Sequence, residues 1–471
     1  VRYLDRGISK LSVIEADMKR LVCCFDGTWN DDSRETALTN VVKLANLITV
    51  SSQDIEQVSY YNSGVGSGGP IDRYLGGLFG AGLKNNVKRG LTFLALNYEE
   101  GDELYVFGFS RGAYTARALA GVIGSAGIPL DISTTETHWN LYQEMAKLRP
   151  DHRLAKDAPK RIQAEAAIGE LKKRLLKVSR NTNEDGTKLV DVPIACVGVW
   201  DTVGAYGIPS GFGLSGLARS FTYWTRGFRD THFGTAVKLG LHAVAIDERR
   251  RPFAPTFWTL RPPKPEEKVE GTPPKLPVEQ VWFPGVHSNV GGGYADCGLS
   301  DLALAWLMAE VQERTGLRFN EQEAMSIVWP CSAATLYHST KRNWLNPLRP
   351  VLPALPRTTG WGARIMRMLG FRRRRFQRVN ERLHWSVLER RGWGTTLVDN
   401  GAPCKYIPLN VDQKAKAVTR PLDLEVMLSD HSLRDWGNRC PMKTLNKPCE
   451  CKARDFHALA VAASESTAAA A

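Results

Sequence analysis

Three side chains, far apart in the chain, are of the types that split esters. Ser110 sits in Gly108-Phe-Ser-Arg-Gly112, with the apolar run Leu104 to Phe107 before it and a run of helical spacing from Ala113 to about Ile123 behind it. G-x-S-x-G between a buried strand and a helix is the setting of a nucleophilic serine on a sharp turn. Such a turn strains the serine backbone, and a bulky residue at either glycine would strike the strand or the helix. The helix N-terminus behind Ser110 offers N–H groups and a positive dipole end to a developing oxyanion, the N–H of Arg111 first. Asp201 directly follows the apolar run Val192 to Trp200, and His287 lies on a glycine-rich loop after Val278 to Phe283. A hydroxyl, an imidazole that takes its proton and a carboxylate that orients the imidazole are together the parts of an acyl-transfer catalyst. Asp247, closing the short core element His242 to Asp247, is the alternative acid.

A fourth stretch bears on the same chemistry. Arg20 to Phe25 reads as the first core strand and ends in Asp26-Gly-Thr-Trp-Asn30. In an open α/β sheet such a turn lies at the edge where ligands bind. Its Gly27 and Thr28 N–H groups can complete an oxyanion hole, or the stretch is a turn held by the Asp26 side chain and nothing more. Aspartate before Gly-Thr is also the setting of phosphatases that attack with a strand-end aspartate, but that nucleophile would stand at Cys24, which removes the reading.

The elements that must hold these residues alternate. Thr39 to Val50 has helical spacing with Asn40 as its cap, Gln57 to Tyr61 reads as a strand, Leu83 to Tyr98 as a helix, and the serine strand follows. Strand and helix in alternation predict a mostly parallel sheet covered on both faces. Serine, aspartate and histidine then come in the chain order of α/β-hydrolases. His138 to Val178 is a charged helical insertion, expected as a cap or lid, and Val278 to Phe283 is expected to be the last strand of the sheet. The glycine-rich Asn62 to Pro70 lacks the G-K-[ST] ending of a phosphate loop and the full dinucleotide fingerprint, so no nucleotide cofactor is expected.

The 471 residues are 43% hydrophobic and 24% charged, ample for a large core, with a net charge of +13 that favours acidic partners such as anionic lipid or nucleic acid. Nine cysteines in such a length form no disulfide framework; Cys23 and Cys24 are expected as small buried hydrophobes. Cys440, Cys449 and Cys451 have no matching second ligand pair, and no metal site is expected. The first twenty residues carry charges throughout, unlike a secretory signal, and no apolar run approaches the ~18 residues of a membrane span. A soluble or peripheral protein is expected, in the cytoplasm or on a membrane surface, with any export by a route that needs no signal peptide.

The catalytic domain is expected over 18–335, with its insertion at about 138–180. An extension follows over 336–457, packed on that domain or on a membrane, and then a disordered tail over 458–471. Thr259 to Pro277, with prolines at 262, 263, 265, 273, 274 and 277, reads as an extended linker inside the domain. Arg364 to Arg382 is arginine-dense and interleaved with Ile365, Met366, Leu369, Phe371 and Phe376. It reads as a membrane-surface element or as a solvated charged helix. No recognised nucleic-acid module surrounds it, and no nucleic-acid partner is expected.

Four motifs, taken in order, resemble those of the α/β-hydrolase family that includes the type VI secretion phospholipase effectors. They are Cys24-Phe-Asp-Gly-Thr28, Gly108-Phe-Ser-Arg-Gly-Ala-Tyr114, Val199-Trp-Asp-Thr-Val203 and Trp282-Phe-Pro-Gly-Val-His-Ser-Asn-Val-Gly-Gly-Gly-Tyr294. His242 to Phe253 and His384 to Arg390 are similar too, so the resemblance spans roughly 20 to 410. It implies a lipid-ester hydrolase that needs no cofactor, with Ser110, Asp201 and His287 as its triad, a phospholipid substrate, and a secretion or immunity partner. Asn289 departs from it, standing where an acidic residue is usual. Two rival functions remain at this level: a non-enzymatic scaffold that keeps the fold and binds a membrane, and an esterase of small soluble esters.

Overall fold

The computed structural model describes residues 18–27, 38–49, 55–64, 77–148, 158–203, 236–248, 250, 253, 255–259, 277–320, 323–324, 381–384, 386–387, 396–397, 403–404 and 425–427. Thr28, most of Asn62 to Pro70, the prolines from 262 to 274, the arginines from 364 to 378, Cys440, Cys449, Cys451 and the 458–471 tail lie outside them.

The described elements open with β1 (Arg20–Phe25), α1 (Asn40–Leu47), β2 (Gln57–Asn62), α2 (Gly77–Asn97), β3 (Glu103–Phe109) and α3 (Arg111–Ala126). The insertion holds α4 (Thr135–Leu148) and α5 (Ala158–Leu176). Then come β4 (Ile194–Trp200), β5 (Gly240–Ala245), β6 (Val278–Phe283), α6 (His287–Gly291) and α7 (Gly298–Thr315). Short strands β7 (Glu381–His384), β8 (Thr396–Leu397), β9 (Pro403–Cys404) and β10 (Glu425–Met427) follow. One eight-stranded sheet runs β2-β1-β3-β4-β5-β6-β7-β10, and β8 and β9 form a separate antiparallel pair. All neighbours in the large sheet are parallel. The α/β class and the parallel sheet are as the sequence predicts.

A parallel sheet buried on both faces needs strands apolar on both faces. In β1, Leu21, Cys23 and Phe25 join one core with α2, α3, α4 and α5, while Val22 and Cys24 join the other with α1 and α7. β3 divides the same way, with Leu104 and Val106 on one side and Tyr105, Phe107 and Phe109 on the other. Burial pushes the Cys23 and Cys24 thiols up, so both remain protonated and apolar in character.

Three expectations are corrected. The sheet does not end at β6, because β7 pairs beside it and β10 beside β7. Strands of four and three residues are too short to declare themselves by pattern. The described part of the insertion belongs to the core layer: Trp139, Tyr142 and Met145 of α4 and Leu171 and Leu175 of α5 are buried with α2 and α3. An apolar face on a surface helix finds its burial against the nearest helices, here those of the serine turn, while Ile162, at 62%, and Ala166 in the first half of α5 stay exposed. The cap of α1 is Thr39, whose Oγ1 accepts from Val42 N–H. Asn40 instead donates through Nδ2 to the carbonyls of Val290 and Ser300, tying α1 to the histidine loop.

The strand order reverses between β1 and β3. β2 lies outward on one side of that pair, and the later strands lie on the other. Beyond the carboxyl ends of strands at such a switch point lies the ligand crevice of open α/β sheets. Two glycines let β1, β3 and α3 converge there. A Cβ at Gly112 would lie 2.1 Å from the Phe25 carbonyl oxygen, and one at Gly108 would lie 2.4 Å from that of Gly112. Backbone cannot yield as a flexible side chain does, so Gly112→Ala is expected to cost about 3 kcal/mol of stability. Urea unfolding measures it, and an unshifted midpoint would contradict this account of the turn.

Candidate active site

Ser110 stands between β3 and α3 with φ 57° and ψ −117°, backbone that a residue bearing a Cβ adopts only when its surroundings impose it. Three hydrogen bonds impose it. Ser110 N–H donates to Trp200 O at 3.1 Å, and Ser110 O accepts from Val203 at 3.3 Å and from Tyr114 at 3.3 Å. The end of β3 is thus stitched to the end of β4, where Phe109 pairs with Trp200. Asp201 is the next residue along β4, and it too has positive φ, 35°.

The turns bring the three side chains into sequence. Ser110 Oγ lies 2.8 Å from His287 Nε2, and His287 Nδ1 lies 2.6 Å from Asp201 Oδ2. All three residues are buried, and Asp201 is 0% exposed. Its second oxygen, Oδ1, accepts the Ala245 N–H at 3.1 Å, so both carboxylate oxygens are engaged. Asp247 holds a different post. Its Oδ2 accepts Gly285 N–H at 2.7 Å and its own N–H donates to Gly285 O at 3.1 Å, which clamps the start of the histidine loop. Asn289, where the resemblance leads one to expect an acid, braces the same loop by accepting Val286 N–H through Oδ1 at 3.2 Å.

The imidazole is wedged between two rings, Phe109 at 4.6 Å and Phe253 at 4.8 Å between centroids. Gly291 makes the first contact possible: a Cβ there would fall 1.9 Å from Phe109 Cε2. Glu248 holds the loop from behind, its Oε2 accepting His287 N–H at 3.3 Å. The same carboxylate takes Arg250 in two-point contact, with Nε 3.0 Å from Oε1 and one terminal nitrogen 2.7 Å from Oε2. The Arg250 guanidinium lies 4.0 Å over the Phe253 ring. Burial alone would lower the Arg250 pKa, yet the hydrogen bond and charge of Glu248 leave it raised. Sequence reasoning missed Glu248, Arg250 and Phe253. The signals were one acid heading a run of three arginines after a core strand, a pattern that a solvated surface also shows, and a resemblance over His242 to Phe253 that gave these residues no role.

At the end of β1, Asp26 is a buried hub. Its Oδ2 accepts from Thr39 Oγ1 at 2.6 Å and Tyr61 OH at 2.9 Å, and its Oδ1 accepts from Gly27 N–H at 2.7 Å. Burial pushes its carboxyl above the usual range, and those three donors pull the other way. Gly27 abuts the serine, since a Cβ on it would lie 3.4 Å from Ser110 Cβ. Its N–H, however, is engaged by Asp26. The first N–H groups of α3, that of Arg111 foremost, have no intrahelical acceptor and face the serine end of the helix. Burial lowers the Arg111 guanidinium to about 10.

A family model described as "T6SS, Phospholipase effector Tle1-like, catalytic domain" matches residues 19–310, a span that contains every element from β1 to the greater part of α7. The chain belongs to this family. Among curated proteins, the chain is similar to "Uncharacterized protein YEL023C" of Saccharomyces cerevisiae, with 29% identity over 272 residues. The match takes in 55% of this chain and 35% of the yeast protein, so the chain spans about a third of that relative's length. Among solved structures it is similar to an uncharacterised protein from Pseudomonas aeruginosa, at 18% identity and TM-score 0.36 over 66% of this chain and 48% of that one. It is also similar to a Tle1 effector bound to the VgrG spike of the type 6 secretion system, at 18% identity and TM-score 0.29 over 59% of this chain and 52% of that one.

Proposed function

We propose that the protein is a serine hydrolase that cleaves the carboxylic esters of phospholipids. One observation supports this above the others: hydroxyl, imidazole and carboxylate stand in a single file, 2.8 Å and 2.6 Å apart, at the switch point of the sheet. Ser110 Oγ attacks the ester carbonyl while His287 Nε2 takes its proton, and Asp201 stabilises the imidazolium through Nδ1–H. The carbonyl oxygen gains the negative charge and is met by the N–H of Arg111 at the positive end of α3. His287 then returns the proton to the departing alcohol oxygen as the ester bond breaks, leaving acyl-Ser110. Water, deprotonated by the same histidine, releases the fatty acid and frees the serine. Gly27, one of the second oxyanion donors expected from the sequence, enters only if its N–H turns away from Asp26 when substrate binds; Thr28, the other, lies outside the described residues.

Family membership supports phospholipid as the ester and delivery by a type VI secretion machine, with a secretion or immunity partner. The net charge of +13 supports work at an anionic membrane surface. No helix among the described residues is long and apolar enough to cross a membrane. A fluorophosphonate probe tests the proposal. The wild-type protein is expected to be labelled covalently and to release fatty acid from phospholipid vesicles, and Ser110→Ala to lose both while keeping its melting temperature. Absence of label from the wild type would favour a non-enzymatic membrane scaffold. Label with turnover of soluble esters alone would favour a small-ester esterase.

A further inference from the structure

The backbone of Asp201 has positive φ, and so the aim of its carboxylate depends on what grips the turn that follows. Four grips are backbone to backbone or start from backbone. Asp201 N–H donates to Ala243 O at 2.7 Å, Ala245 N–H donates to Asp201 Oδ1 at 3.1 Å, Thr202 O accepts from Thr256 N–H at 2.8 Å, and Val203 N–H donates to Ser110 O at 3.3 Å. The fifth comes from another residue's side chain. Thr202 N–H donates to His242 Nε2 at 3.1 Å. For that bond to exist, Nε2 must carry a lone pair and Nδ1 the proton. Gln280, directly opposite His242 in the β5–β6 register, presents Oε1 to Nδ1 at 3.4 Å. The Gln280 amide is itself oriented at both ends, its Oε1 accepting Trp258 N–H at 2.8 Å and its Nε2 donating to Trp258 O at 3.2 Å. A row of bonds thus leads from β6 through β5 to the acid turn on β4, and onward through Asp201 and His287 to Ser110.

We propose that His242 is a positioning residue for the reaction: by accepting the Thr202 N–H it holds the Asp201 turn in the one orientation that reaches His287. This inference rests on the triad reading given above. His242 is fully buried between the Phe257 and Trp258 rings, 6.0 Å and 5.7 Å away between centroids. Arg117 on α3 supplies the nearby charge. It binds the Thr256 and Phe257 carbonyls and lies 4.7 Å over the Trp258 ring, so the serine helix braces the same loop that grips Thr202. Burial first, and Arg117 second, lower His242 to about 3, which keeps the acceptor lone pair available throughout the neutral range. A histidine that merely fills the core would tolerate any side chain of its size, whereas a positioning histidine needs an acceptor at Nε2.

The test compares His242→Gln, whose amide oxygen can still accept from Thr202, with His242→Met, which cannot. In protein shown folded by circular dichroism, His242→Met is expected to lose about 10²-fold in kcat with KM little changed, the size of effect a misplacement near 1 Å produces. His242→Gln is expected to recover most of that loss. Equal kcat in wild type and folded His242→Met would overturn the proposal, as would equal losses in the two variants. Should His242→Met not fold, the wild-type ring decides the matter. Its nitrogen-15 spectrum is expected to show the Nδ1–H tautomer unchanged from pH 8 to pH 5, and an Nε2–H or doubly protonated ring would refute the inference. Fluorophosphonate labelling of wild-type Ser110 separates the outcomes: without it the triad reading fails, and with it any negative result above bears on His242 alone.

Discussion

Turnover is expected to fall about ten-thousand-fold when Asp201 is replaced by asparagine, in a protein that folds as before. Asparagine matches aspartate in shape but offers one acceptor and one donor where the site uses two acceptors. If its oxygen keeps the Ala245 N–H, its NH₂ faces His287 Nδ1 and drives the imidazole proton to Nε2. That nitrogen must accept the Ser110 proton, and with a proton already there it cannot. If the amide turns the other way, the NH₂ meets the Ala245 N–H, donor against donor, at a fully buried position. Either arrangement costs the transition state about 5 kcal/mol. Asp247→Asn is the informative companion. Its amide oxygen can still accept the Gly285 N–H, so a loss within about tenfold is expected. Steady-state kcat on a soluble activated ester measures both without the complication of a lipid surface. Near-normal turnover in folded Asp201→Asn, together with collapse in Asp247→Asn, would reverse the assignment of the acid.

A steep loss of stability in mild acid is the second large effect expected. His138 and His242 are both buried and uncharged. Burial lowers the first to about 4, the Ala126 carbonyl opposing, and lowers the second to about 3. In the unfolded chain both imidazoles return to about 6.5. Between 6.5 and 4 the unfolded state therefore binds more protons than the folded one, and stability falls as pH falls. Each histidine contributes about 1.4 kcal/mol per pH unit in that window, so the pair amounts to roughly 5 kcal/mol by pH 4.5. That is comparable with the whole stability of many domains. Asp26 acts in the opposite sense, since its raised carboxyl takes up a proton in the folded state more readily than in the unfolded one and returns some stability below its folded pKa. Thermal unfolding at pH 7.5 and pH 4.5 measures the balance, with a drop of about 10 °C or more expected. His138→Gln, remote from Ser110, is expected to remove about half of it. A melting temperature flat across this range would show that neither buried imidazole resists protonation.

Much of this molecule was legible one element at a time. The serine turn was readable because its determinants are neighbours in the chain: an apolar run, two glycines with one residue between each and the serine, and a helical run behind. The parallel sheet was readable because strands buried on both faces are apolar without alternation, as Val22 to Phe25 and Val197 to Trp200 are. Even the order of serine, aspartate and histidine was visible before any of them had a position. Lateral arrangement was not. Asp201 and Asp247 both follow core strands, and nothing within either strand says which lies beside Ser110. That choice is made by β4 pairing directly with β3, while β5 lies one place further out. The aromatic wedge around His287, the Glu248–Arg250 contact behind it and the His242–Gln280 row were hidden for the same reason. Local pattern reports only the face a residue presents, whereas the contacts of the proposed triad span 86 residues between Asp201 and His287 and 177 between Ser110 and His287. Residue types and turns are set by short-range sterics, which the sequence carries by itself. Which turns stand side by side is set by the packing of the whole sheet, and only the folded structure decides that.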